Sequence, residues 1–359
     1  MQSTQVDRVR VFEPRPDRAA NADPLFADLF TKGRRRVLRS FVANLVLVAL
    51  GVVIFVRSDV GIAAPGFFVV LFGPSGVLSL RTYLGTVRPM GNLLGGGFRE
   101  LWPGQGGVLH AGNKVGLRLP GDGDPQWLVL RMAAAKRLQL AGQRRVWVLG
   151  PGPRGHALVL LPGAVVGTLG RVRPEPPDGA EELPLEPRQP CGPNEDPVLL
   201  ARLADVRRGQ VTVITCFAAI LAWLAWIWLS VDSASGPVGD FFSGFAPSVA
   251  AVFALLAGLV IVSAFRIGRK PVETTWTELA VVTYGDFVLT AAGVASVGGS
   301  ATLPDGRQAT FRLIKVDVNL IVNVIATGRL WIIGPPRQGV RLRVGLPGYP
   351  LHGTVKLTA

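Results

Sequence analysis

The chain is poor in the residues on which most sequence-borne chemistry depends. Of its 359 residues, two are cysteine and three are histidine. Cys191 and Cys216 provide no disulfide framework, and such frameworks belong to cysteine-dense secreted chains. His110, His156 and His352 stand far apart, at no spacing that suits a metal, so no metal ligand is expected. Seven of the 24 acidic residues are concentrated in one proline-rich segment, a poor place to fix a general acid or base. No catalytic residue and no cofactor follows from the sequence, and the expectation is a protein that is not an enzyme. Glycine patterns do not change this. The run Gly150-Pro-Gly-Pro-Arg-Gly155 has the form G-x-G-x-x-G, but it precedes an apolar strand candidate. A dinucleotide loop must open a helix whose N-terminus faces the pyrophosphate.

A second absence is more informative. Four apolar stretches, residues 41–56, 62–80, 211–231 and 244–265, hold no acidic or basic side chain. About 20 such residues, rising roughly 1.5 Å each, cross a bilayer core of about 30 Å. The stretches fall into two pairs, and each pair reads as a transmembrane hairpin. The second contains Pro65 and Pro74, which predict a kink. Without ionisable groups at depth, a proton relay or charge-coupled transporter is disfavoured.

What is plentiful is arginine. Basic residues outnumber acidic ones by 38 to 24, and Arg57 is the one basic residue in either hairpin loop. By the positive-inside rule, the N-terminus, both soluble regions and the C-terminus are cytoplasmic, in a multi-pass protein of the bacterial inner (plasma) membrane. Trp223, Trp226 and Trp228 lie where an aromatic belt belongs. Asp23-Pro24 can cap and open a short helix on the inner membrane surface, ended by Gly33, with Arg34, Arg35 and Arg36 meeting anionic headgroups.

The regions after the hairpins align at an offset of 184 residues: Arg145-Val-Trp147 with Arg329-Leu-Trp331, and Leu119-Pro120 with Leu303-Pro304. Such agreement reads as internal repetition. In the first region, strands are expected over 114–119, 126–132, 144–149, 157–161 and 165–172, with a helix over 133–141 ended by Gly142. The second region repeats this order, adding a meander over 278–290. The segment 173–197 carries eight prolines and seven acidic residues and reads as a disordered tether.

The fold class expected is therefore integral membrane α-helical, four transmembrane helices in two hairpins, with two repeated cytoplasmic α+β, β-rich modules. The boundaries are 1–40 for the arm, 41–80 for the first hairpin and 81–172 for the first module. The linker takes 173–200, the second hairpin 201–265 and the second module 266–359. Trp147 and Trp331 are expected as equivalent core aromatics. Arg145 and Arg329 are candidate contacts with a protein partner. The functional expectation is a scaffold or regulator whose modules bind a cytoplasmic protein or the anionic membrane surface. The alternative is an oligomeric transport or channel component. Small-residue spacings such as Ala254-x-x-x-Gly258 would allow a homo-oligomer. Nucleic-acid binding is disfavoured, because the basic residues are scattered.

Overall fold

The computed structural model describes residues 9–57, 63–121, 124–187, 191–231, 271–291 and 293–358, with isolated positions between 251 and 262. The chain divides into two compact units. One holds residues 1–33, 88–202 and 270–359, and the other holds 34–87 and 203–269. Helix α1 (Pro24–Arg57) is followed by α2 (Ala63–Thr82), a π-helical turn (Tyr83–Val87) and α3 (Arg88–Leu93). Within the second unit, the Asn44 amide donates to Ser75 Oγ at 3.2 Å and to the Ser40 carbonyl at 2.7 Å. The one amide in the first apolar stretch thus ties α1 to α2.

The helical expectation needs correction. Among the described residues, one helix is long and apolar enough to cross a membrane, Pro24–Val53, a test that an N-terminal signal sequence also meets. Four transmembrane helices in two hairpins are not found. Two β-rich sheets dominate instead, and the multi-pass placement falls with the helices. The stretch 244–265 lies outside the described residues apart from isolated positions, as do the side chains of Trp223, Trp226 and Trp228.

The other stretches are parts of longer elements. α1 runs unbroken through Gly33 and Arg34–Arg36, so the separate surface helix does not form. One glycine costs a helix only about 1 kcal/mol, which the flanking helix formers offset. The third stretch continues α5 (Pro197–Val231), which begins well before it. A hydropathy window marks where a helix is apolar, whereas its ends follow capping and propensity.

The first sheet is open. It orders β1 (Phe98–Leu101), β5 (Val146–Leu149), β6 (His156–Leu160), β7 (Thr168–Arg173), β4 (Gln126–Arg131), β3 (Lys114–Leu119), β2 (Val108–Ala111) and β8 (Glu181–Glu182). Every residue of β5 is buried because both faces are covered. Trp147 and Leu149 join one core cluster, and Val146 and Val148 the other. This period-two split is what a pleated strand buried on both sides requires. Helix α4 (Ala134–Gln143) closes over the second cluster through Leu140 and Ala141. The segment expected as a tether runs along the sheet: β8 pairs with β2 and Leu183 enters the core.

The second sheet closes on itself. β9 (Trp276–Thr283) pairs with β11 (Val294–Thr302) on one side and with β13 (Arg329–Ile333) on the other. β12 (Gln308–Asp317), β15 (His352–Thr358) and β14 (Arg341–Gly345) complete six strands, while β10 (Val288–Ala291) adds to β11 outside the ring. Alternate residues of β11 and β12, among them Val297, Ala301, Phe311 and Leu313, fill the interior. Helix α6 (Val318–Thr327) packs its apolar side into the same core. Two copies of one module are therefore not what the chain builds: one sheet is open, the other a closed barrel.

Candidate functional site

The N-terminal arm is the part least expected from its composition. Residues 9–23 are held between the two sheets by backbone hydrogen bonds. The Phe12 carbonyl accepts from Gly163 N at 3.0 Å, and Phe12 N donates to Asn323 Oδ1 at 2.8 Å. Ala20 N and Asn21 N donate to the carbonyls of Gly96 and Leu94 at 2.9 Å, and Ala19 bridges Gly97. Asp23 then caps α1, its Oδ1 accepting from Leu25 N at 2.9 Å.

Asn323 is the buried centre of this attachment. Its Nδ2 donates to the Gly163 carbonyl at 2.7 Å and to the Asn319 carbonyl at 2.6 Å. Four residues earlier on the same face of α6, Asn319 Oδ1 accepts from Val165 N and Val166 N at 2.7 and 3.0 Å. Two asparagines one turn apart thus stitch the barrel's helix to a loop of the open sheet and to the arm. Buried amides tolerate this setting because their donors and acceptors are matched.

The arm roofs a cleft of about 360 Å³, lined by Phe12, Phe26 and Phe98, with Glu13, Arg15, Arg18 and Asp23 among its charged walls. Phe26 stands 5.2 Å from Phe98 and 6.1 Å from Phe12, ring centre to ring centre. β1 continues this surface. Phe98, Glu100 and Trp102 alternate onto one face, and the register places Glu100 opposite Trp147. Arg145, just before β5, lies on the same face. Its guanidinium pairs with Glu13, approaches Glu100 at 3.3 Å, and sits 5.5 Å from the ring centres of both Trp102 and Trp147. Trp102 remains 64% exposed. An apolar floor, charges of both signs and an exposed tryptophan thus lie side by side.

The residues singled out from the sequence are placed as follows. Arg145 is engaged within the chain, and Arg329 pairs with Glu278 at 2.7 Å. The two are on different sheets, and each is tied to a local carboxylate. Trp147 is buried, whereas Trp331 is half-buried and packs against the core from between Leu330 and Ile332. Arg34, Arg35 and Arg36 are exposed along α1. Among the described residues no three His, Cys, Asp or Glu side chains come together as a metal site. The docked arm, the Asn319–Asn323 stitch and the place of Trp102 beside Arg145 were not legible in the sequence. Two asparagines spaced by four in the otherwise apolar α6 were the available signal.

Two buried groups near these elements are strongly shifted. Burial pushes the Tyr349 hydroxyl up to about 12, with Arg145 opposing in part, so it remains a neutral donor. Burial, then the charges of Arg202 and Arg343, push His352 down from 6.5 to about 4. As pH falls from 6.5, the unfolded chain takes up this proton before the folded one does. The contribution of His352 to stability is thus complete above about pH 6.5 and is lost progressively towards pH 4, by at most about 3 kcal/mol. His352→Gln is expected to flatten the decline in unfolding midpoint across that window, and an undiminished slope would refute the assignment.

Among the described residues the chain is β-rich, with one long apolar helix near the N-terminus and a cleft lined by the arm. No family model, curated protein or solved structure matches the chain.

Proposed function

We propose that this chain is a non-enzymatic scaffold or regulator held at a membrane by α1, whose β-rich unit binds a protein partner. The observation that carries the reading is the continuous surface from the arm's cleft to Trp102. A cleft of about 360 Å³ suits one or two anchoring side chains of a peptide, and exposed tryptophan beside arginine is the composition of binding hot spots. Residues 9–33 and 88–202 belong to one compact unit, which stands next to the start of α1. The excess of basic over acidic residues favours the cytoplasmic side for that unit. Exposed Arg34–Arg36 would then meet anionic headgroups where α1 turns apolar.

The test is recovery of the tagged full-length chain from native membranes after gentle crosslinking, followed by mass spectrometry. A stoichiometric protein is expected, with recovery cut about tenfold or more by Trp102→Ala, the typical loss of a hot-spot residue. Recovery of self-copies and lipid alone, or a partner indifferent to Trp102→Ala, would overturn the reading.

A further inference from the structure

The outer face of the closed barrel carries a row of like charges that the strand register brings together. Lys356 of β15 lies directly opposite Arg312 of β12 on one side and Arg341 of β14 on the other. Side chains paired in this way stand about 4.5–5.5 Å apart at Cβ, and like charges directly opposite each other destabilise a sheet. All three are exposed, and among the described residues none of them forms an ion pair. The row continues across β11 to the end of β9. Gly298 pairs with Arg312, and its carbonyl accepts from Tyr284 N at 2.8 Å. Glycine at this position leaves no side chain between exposed Tyr284 and Arg312.

The positions flanking this row bring no carboxylate to it. On one side the register gives Val282, Ser300, Thr310 and Thr358. On the other come Val288 and Ser296, then Ile314 by alternation along β12, next to exposed Lys315 at the bulge. The acidic residues of these strands and their turns are committed elsewhere: Glu278 to Arg329, Asp305 to Arg307, and Asp317 to the start of α6. Asp286 stands in the turn between β9 and β10, two residues beyond Tyr284. Val282, Tyr284, Val288 and Ile314 are all exposed beside the cations. Apolar and aromatic groups bordering Lys and Arg are what an anionic bilayer selects: the first enter the headgroup boundary, and the second meet the phosphates. Nucleic acid matches the face less well, because aliphatic side chains offer bases no stacking plane.

We propose that this face of the barrel docks on an anionic lipid surface through Arg312, Lys356 and Arg341. It takes from the preceding reading only that α1 holds the chain at a membrane, and it does not involve Trp102. The full-length chain is kept in neutral detergent micelles doped with phosphatidylglycerol, or with the same fraction of phosphatidylcholine, and treated briefly with an amine-reactive reagent. Mass spectrometry then compares Lys356 with Lys114, an exposed lysine of β3 in the open sheet. Phosphatidylglycerol is expected to slow modification of Lys356 about tenfold or more, to spare Lys114, and to lose its effect at high salt. Arg312→Gln and Arg341→Gln should each weaken the protection about fivefold, as one basic residue at a charged surface predicts. Both variants remove a like-charge contact between exposed side chains, so their unfolding midpoints should not fall. Lys356 equally reactive in the two micelles, or protection that both variants retain in full, overturns the proposal. So does protection by an oligonucleotide in neutral micelles without any effect of phosphatidylglycerol, which would make the face a nucleic-acid surface. Loss of the crosslinked partner in Trp102→Ala leaves Lys356 protection as it is, so the two readings fail separately.

Discussion

Asn323→Ala is expected to destabilise the sheet-bearing unit by about 3 kcal/mol and to release the N-terminal arm. The side chain is 1% exposed, and two of its three hydrogen bonds tie α6 to Phe12 of the arm and to the Gly163 carbonyl, the third returning to Asn319. Truncation leaves Phe12 N and the Gly163 carbonyl without partners, and each buried orphan costs about 1–3 kcal/mol. Asn323→Asp should be worse than alanine. A carboxylate still accepts from Phe12 N, but it turns lone pairs towards the two carbonyls that the amide had served, and it buries a charge. The unfolding midpoint and protease cleavage within residues 9–20 report the two consequences separately. If the arm stays as protected in Asn323→Ala as in wild type, the hub does not hold it.

Gly299→Ala is expected to cost about 3 kcal/mol by prising open the barrel. Gly299 lies where β11 is flanked by β9 and β12, pairing with Thr283 and Phe311. A Cβ there would collide with the Val282 carbonyl oxygen and sit 2.6 Å from Phe311 Cε1. The carbonyl is backbone in a paired strand and cannot step aside, so overpacking of this kind typically costs 1–3 kcal/mol. The adjacent Gly298 is the control: its added Cβ would meet only the Phe311 carbonyl oxygen, at 3.5 Å, and Gly298→Ala should be close to neutral. Hydrogen exchange should quicken at residues 280–283 and 299–302 in Gly299→Ala and not in Gly298→Ala. Equal effects of the two substitutions would show that closure does not depend on this close approach.

Much of the β structure was legible because its causes are local. The strand 114–119 follows from alternation and turn chemistry, and β3 has those bounds. Helix ends were less legible. Gly142 stays inside α4, and Arg144 takes the left-handed position instead. Closure of the second sheet was invisible because it joins β9 to both β11 and β13, pairings that alternation within a strand does not specify. At the position aligned by the 184-residue offset, the open sheet carries buried Val115 where the barrel carries Gly299. An alignment that scores matches passes over that difference. The membrane architecture failed for another reason: apolar content does not mark helix ends, and α1 and α5 run well beyond their apolar stretches. The site failed because it is made from sequence-distant parts. An arm rich in Pro, Arg and Asp looks disordered until α6 supplies an acceptor for Phe12.

The stitch between Phe12 and Asn323 also sets a timetable. Its two ends are 311 residues apart in the chain. With synthesis at roughly 5–20 residues per second, the arm leaves the ribosome on the order of 15–60 s before its acceptor exists. During that interval Phe12 N lacks its acceptor and the arm lacks its attachment to α6. The last-made helix is therefore what ends the vulnerable period of the first-made segment. A translation pause before α6 would lengthen the chaperone dependence of a region more than 300 residues upstream.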